Sequence, residues 1–204
     1  MLKTKIAVFV SGGGTNLQAL IDSQKSQKIT SGEISLVISS SDNAYAVTRA
    51  KDCGIPVQVV SKKACGSQDA FEEKISALIS EYKIDLIVLA GFMSILSEKF
   101  TKKYPERILN IHPSLIPSFC GKGFYGLYVH EAALAYGVKV TGATVHYVNE
   151  IPDGGKIILQ KAVDVLEDDT PESLQLRVMR EAEWQILPQA VEMISEKIAK
   201  EKQK

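Results

Sequence analysis

The sequence has no surplus of charge: its 204 residues carry 24 basic and 24 acidic side chains. A protein that holds nucleic acid by bulk charge needs a basic surplus to displace counterions from phosphates, so that class is disfavoured. A small anion held at one local site is still compatible. Cysteine is scarce too. Cys53, Cys65 and Cys120 lie far apart without metal-ligand spacing, and three thiols cannot all pair within one chain. Reduced thiols in a cytoplasmic protein are the expectation. Long apolar runs are also missing. The N-terminal MLKTKIAVFVSGGG offers five consecutive apolar residues, too few for a signal-peptide core. No segment approaches the roughly 18 apolar residues of a membrane span.

What is present is 45% hydrophobic residues, enough for one domain or two small lobes sharing a core. Strand and helix patterns alternate. KIAVFV (5–10), EISLVIS (33–39), VQVV (57–60) and DLIVLAGF (85–92) read as strands, and the continuous apolar character of the last suits a strand covered on both faces. Between them LQALIDSQ (17–24), YAVTRAKDCG (45–54) and DAFEEKISALISEY (69–82) read as helices. This alternation predicts an α/β layer fold around a mostly parallel sheet.

The second half reads differently. RILNIH ends a strand, and VHEAALAYG (129–137) is a helix stopped by glycine. KVTGATVHYV (139–148) and KIILQKAVDV (156–165) form a pair of longer strands around the turn-rich NEIPDGG. From Pro171 the chain reads as one long C-terminal helix with an apolar stripe at Leu187, Val191, Ile194 and Ile198.

SGGGTNLQ (11–18) follows a strand and opens a helix. Unpaired amides at a helix N-terminus carry partial positive charge, and glycine lets backbone approach an anion closely. A P-loop would need lysine where Thr15 stands. A dinucleotide fingerprint would need glycine at Leu17 and an acid at Ser39 or Ser40. Both nucleotide readings fail. A phosphate monoester site and a plain connecting turn remain.

ILNIHPSLIPSF (108–119) carries the densest chemistry. Asn110 and His112 are two residues apart on a strand and share a face, and Pro113 and Pro117 restrict the exit. Asparagine can donate to a developing oxyanion. Protonated histidine can do the same and then pass a proton to a leaving nitrogen. Asp153, in the glycine turn IPDGG, is the candidate carboxylate that favours the charged imidazole. Each of these residues also has a purely structural reading, a hydrogen-bonded histidine and an ordinary turn. His146 reads as half-buried among apolar neighbours and His130 as a surface or cap residue. No HExxH or GxSxG occurs, so neither a catalytic metal nor a covalent nucleophile is expected. The residues favour transfer through a tetrahedral intermediate.

SGGGTNLQALID, DLIVLAGFMSIL, ILNIHPSLIPSF, VTGATVHYVNE, PDGGKIILQ and EAEWQILP occur in this order over nearly the whole chain. Together they resemble the folate-dependent formyltransferases, and within them the phosphoribosylglycinamide formyltransferase (glycinamide ribonucleotide transformylase) family. The resemblance implies a Rossmann-like, mostly parallel twisted sheet flanked by helices, with an antiparallel strand pair and a long C-terminal helix in the second half. It implies a single formyltransferase domain, 1–204, with a phosphate-binding half at 1–100 and a catalytic, folate-binding half at 101–204. The implied reaction moves a formyl group from 10-formyltetrahydrofolate, as co-substrate, to the amine of 5-phosphoribosylglycinamide. The product is formylglycinamide ribonucleotide of de novo purine (IMP) biosynthesis.

The family's catalytic triad falls on Asn110, His112 and Asp153, with Asp153 keeping His112 charged. The acceptor phosphate falls on Gly14, Thr15 and Asn16, and the ribose hydroxyls on Glu183. Folate contacts fall on Met93, Ser94, Ile95, Leu96, Asn110, Asn149, Glu150, Ile151, Pro152 and Asp153, with Gln68 at the folate tail. Ser94 stands where many members carry arginine, and Trp184 where histidine is usual. The implied partners are small molecules only, with no nucleic acid and no membrane, and the chain is expected to act as a monomer or homodimer in the cytoplasm. A formyltetrahydrofolate hydrolase and a non-catalytic folate or phosphosugar-binding module are the alternatives.

Overall fold

Apolar residues of both parities along each central strand need cover on both faces, and the chain supplies it. The computed structural model describes residues 3–203. Its sheet has seven strands: β1 (Thr4–Val10), β2 (Gly32–Ser39), β3 (Val57–Val59), β4 (Leu86–Leu89), β5 (Ile108–His112), β6 (Val140–Tyr147) and β7 (Ile157–Asp164). Their spatial order is β3-β2-β1-β4-β5-β6-β7. The first five are parallel, and β6 and β7 each run antiparallel to the strand before. The helices are α1 (Thr15–Lys25), α2 (Tyr45–Asp52), α3 (Lys62–Cys65), α4 (Gln68–Glu81), α5 (Glu98–Lys103), α6 (Leu127–Tyr136), α7 (Pro171–Val178) and α8 (Trp184–Glu201).

In β1, Ile6, Val8 and Val10 belong to one buried cluster and Ala7 and Phe9 to the other, as the two-residue strand period requires. The first cluster includes Leu17 and Leu20 of α1 and Leu187 and Val191 of α8. The second includes Phe71 and Ile75 of α4 and Phe100 of α5. The α8 register is fixed by polar contacts as well as by its apolar stripe. Thr4 Oγ1 donates to the Ser195 carbonyl, and Glu192 accepts from the backbone and hydroxyls of Thr30 and Ser31.

Four elements depart from expectation. The strand read over 85–92 ends at Leu89; Ala90 to Phe92 leave the sheet through Gly91, whose φ is 74°. The long C-terminal helix is interrupted by a π-helical turn at Met179–Glu183. Such turns displace the helical register locally and often occur at functional sites. The helices α3 and α5, of four and six residues, were not expected. They are too short to display a helical period. Among the described residues no helix is long and apolar enough to cross a membrane.

The order of strands places β1 and β4 side by side where the chain direction of winding reverses. In an open parallel sheet the crevice at the carboxyl ends of such strands is the usual ligand position. The backbone after β1 is tied to the backbone after β4 there, by the Ser11 N–H on the Gly91 carbonyl at 3.1 Å.

Candidate active site

The glycine loop after β1 turns into α1 at Gly14, which has φ 72°. A Cβ at Gly14 would come within 2.6 Å of the Ala46 Cβ, so both the conformation and the close approach of α2 require glycine. No side chain caps α1, and none caps α6, whose preceding residue is Gly126. By contrast α4, α5 and α7 are capped by Ser67, Ser97 and Thr170. The N-terminal ends of α1 and α6 meet in one cavity, lined by the loop Gly12 to Asn16 and by Gly91, Pro113, Gly126, His130 and Glu183. Unpaired amides and two helix dipoles make this cavity favourable to an anion.

Glu183, placed by the π-helical turn, is 4% exposed, and its Oε2 accepts from the Asn16 amide at 2.7 Å. Burial pushes the Glu183 carboxyl up to about 7, against the opposing hydrogen bond from Asn16. The folded state therefore holds this proton more tightly than the unfolded chain. Its stabilising contribution is complete below about pH 4.5 and is lost as pH rises through about 7. Glu183→Gln keeps an acceptor for Asn16 without the buried charge. It is expected to raise stability at pH 8 by about 1–3 kcal/mol and to change little at pH 4. Urea denaturation at the two pH values checks this; an equal effect at both would count against a strained carboxylate.

A second cleft lies on the other side of β4 and β5. Its walls are Met93 to Leu96, Asn110, His146 and the turn Asn149 to Asp153. Met93, Ile95 and Ile151 are 56%, 68% and 59% exposed, so three large apolar side chains face solvent around one cleft. That arrangement suits a flat, largely apolar ligand. Gln68, at the start of α4, donates to the Ile95 carbonyl at 3.1 Å and so stands at the rim of the same segment. The Met93 N–H donates to Ser11 Oγ, which joins this wall to the glycine loop.

Asn110, His112 and Asp153 meet between the two clefts. Asp153 Oδ1 lies 3.4 Å from Asn110 Nδ2, and its Oδ2 lies 3.5 Å from His112 Nδ1 and accepts from the Gly121 N–H at 2.8 Å. Asp153 has φ 56°, and a Cβ at nearby Gly155 would stand 1.7 Å from the Tyr147 carbonyl oxygen. The turn thus needs a left-handed residue and a glycine to hold the carboxylate in the cleft. Phe119, also left-handed at φ 47°, presents its carbonyl to His112 Nε2 at 2.8 Å. Two strained residues are therefore direct partners of one buried imidazole. A carbonyl only accepts, so Nε2 carries a proton and Nδ1 of the neutral ring faces the carboxylate.

The expectation that Asp153 keeps His112 charged is corrected for the free protein. Burial lowers the His112 pKa below its ordinary value, and it outweighs the raising influence of Asp153 and of the Phe119 carbonyl. For Asp153, burial acts upward, but the facing His146 and His112 rings and the Gly121 N–H hold the carboxyl below the usual range.

Two histidines were misread. His146 is 1% exposed and pairs across the sheet with Asn110. Its Nδ1 donates to the Tyr147 carbonyl at 2.7 Å, which leaves Nε2 to accept from Asn110 at 3.2 Å and to face Asp153 Oδ1 at 3.5 Å. The signal was the matched spacing of Asn110 with His112 and Thr144 with His146 on strands that pair. His130 is also 1% exposed, a cavity wall rather than a surface cap. Helix α6 is apolar nearly all round, so the face that carries His130 can be buried.

A formyl transferase family model matches residues 4–191. Human trifunctional purine biosynthetic protein adenosine-3 is 44% identical over 193 residues, 95% of this chain and 18% of that protein. The chain thus spans about a fifth of the trifunctional relatives it matches. The Haemophilus influenzae phosphoribosylglycinamide formyltransferase is 41% identical over 192 residues, 94% of this chain and 87% of that protein. The crystal structure of glycinamide ribonucleotide transformylase 1 from Symbiobacterium toebii has a TM-score of 0.88 to this fold at 41% identity, covering 95% of this chain and 88% of that one. With the strand order, the two clefts and the Asn110–His112–Asp153 cluster, these likenesses establish that the chain belongs to the phosphoribosylglycinamide formyltransferase family of formyl transferases.

Proposed function

We propose that the chain transfers the formyl group of 10-formyltetrahydrofolate to the amine of 5-phosphoribosylglycinamide, giving formylglycinamide ribonucleotide for purine synthesis. The observation that carries this reading is one carboxylate, Asp153, within 3.5 Å of both Asn110 and His112 at the junction of an anion-suited cavity and an apolar cleft. Residues 1–100 supply the phosphate end through Gly14, Thr15 and Asn16. Residues 101–204 supply the catalytic cluster, with Glu183 binding the ribose hydroxyls. The pterin ring occupies the cleft of Met93 to Leu96 and Asn149 to Asp153, with Gln68 toward the folate tail.

The amine attacks the formyl carbon, a carbon–nitrogen bond forms, and the formyl oxygen becomes an oxyanion. Asn110 Nδ2–H and His112 Nε2–H donate to that oxygen; the latter is redirected from the Phe119 carbonyl. In the free protein both Asn110 contacts are long, at 3.2 and 3.4 Å, so little is lost when the amide turns to the substrate. As negative charge develops, protonation of His112 at Nδ1, beside Asp153, becomes favourable. The ring then gives its Nε2 proton to the departing folate nitrogen. The proton lost by the attacking nitrogen passes to His112 Nδ1 beside Asp153, the carbon–nitrogen bond to folate breaks as the oxyanion collapses, and the ring, having given up its Nε2 proton, returns to its starting tautomer by exchange with solvent. No step needs a metal or a covalent enzyme adduct.

The test is folate deformylation by purified protein with and without glycinamide ribonucleotide. Deformylation that depends on the ribonucleotide supports the transferase. Equal deformylation without it would make the protein a hydrolase, and tight binding of both ligands without turnover would make it a binding module.

A further inference from the structure

Buried polar atoms without partners are uncommon, and each marks strain, function or a ligand. Among the described residues they are Oδ1 of Asn16, both ring nitrogens of His130, Nε1 of Trp184 and Oγ of Ser195. The atoms of Asn16 and His130 belong to the walls of one cavity, the one between the N-terminal ends of α1 and α6. Ser195 lies against Gly32 at the far end of the sheet. Trp184 borders the outer side of α1 beside Arg49.

His130 sits one helical turn into α6 and is 1% exposed. Burial, with a smaller push from His112, lowers its pKa to about 4, so its ring is neutral at physiological pH. A neutral imidazole carries one N–H donor and one acceptor nitrogen. That pair does not match a phosphate, which only accepts and already has the glycine loop and the helix ends. It matches a group that both donates and accepts, a hydroxyl or a carboxamide. The cavity walls also include Glu183 and Pro113, the residue that follows His112, so such a group would lie between the phosphate end and the reacting centre.

We propose that His130 is an acceptor-binding residue whose imidazole hydrogen-bonds the hydroxyl and amide portion of the acceptor, between its phosphate and its amine, and so selects an amide-bearing phosphosugar. This rests on the assignment of the cavity to the acceptor. His130 touches no reacting atom in this role. It acts on affinity rather than on the chemical step.

The test uses the full chain labelled uniformly with nitrogen-15, so that histidine ring nitrogens and backbone amides are both followed. The chain has three histidines, so His130→Asn identifies the His130 ring signals by difference. Saturation with glycinamide ribonucleotide is expected to shift both His130 ring signals, while inorganic phosphate and a folate analogue without a formyl group leave them in place. His130→Ala and His130→Asn are expected to raise KM for the ribonucleotide about tenfold, with kcat and folate-analogue affinity within about threefold of wild type. Unmoved His130 ring signals under saturating ribonucleotide, with the Gly13 to Asn16 amides shifting, would overturn the proposal alone. If neither those amides nor His130 respond, the acceptor assignment falls with it. An unchanged KM in both variants would also overturn it.

Discussion

His112→Asn is expected to lower kcat for formyl transfer by about a hundred- to a thousand-fold, the loss typical of removing one donor to an oxyanion. In the proposed mechanism the imidazole supplies the Nε2–H that meets the formyl oxygen and the proton that reaches the folate nitrogen. Asparagine can imitate neither the reach nor the proton transfer. The side chain is 4% exposed and among the described residues its hydrogen-bond and ion-pair partners are the Phe119 carbonyl and Asp153, so the exchange leaves the surrounding core in place. A thermal melt and a folate-analogue titration should therefore stay close to wild type while turnover collapses. Near wild-type turnover would remove His112 from the mechanism, whatever the binding data showed.

Asp153→Asn is expected to cost a similar factor in kcat, for a different reason. Asparagine accepts a left-handed φ readily, so the 56° conformation and the Gly121 hydrogen bond survive. What disappears is the negative charge 3.5 Å from His112 Nδ1. At that separation two unit charges at an effective dielectric of about 20 attract by about 5 kcal/mol, an upper bound on the lost support for the cationic ring. Burial already holds the His112 pKa below its ordinary value, and Asp153 is the largest influence opposing burial. Without it the pKa falls further, so the protonated ring is populated only at lower pH. The alkaline limb of the residual kcat profile is accordingly expected at lower pH than in wild type. A kcat profile from pH 5 to 9 checks this; a limb that stays in place or moves upward would mean that Asp153 does not act through the charge of His112.

Much of this was legible in the sequence because the signals were local. The parallel core strands announce themselves as apolar runs, and Asn110 and His112 share a face because a strand repeats every two residues. SGGGTN reads as an anion loop or a connecting turn, since glycine precedes a helix there. The rest depends on contacts between distant segments. His146 reaches the site only because β6 pairs antiparallel with β5 in the register that sets it opposite Asn110. His130 faces the cavity only because α6 is seated beside the glycine loop. The π-helical turn at Met179–Glu183, which aims Glu183 inward, has no sequence period of its own. The sign of the His112 shift also could not be read locally. It is a contest between burial on one side and Asp153 with the Phe119 carbonyl on the other, and in the free protein burial prevails.

The most direct test of the central claim follows the formyl carbon itself. Folate labelled with carbon-13 in the formyl group is mixed with glycinamide ribonucleotide and the protein, and the label is tracked by NMR. The account predicts that the label appears on the glycinamide nitrogen, one for each folate consumed, and that Asp153→Asn slows this transfer without redirecting it. Label released as formate would contradict the account, because the site would then be delivering the group to water.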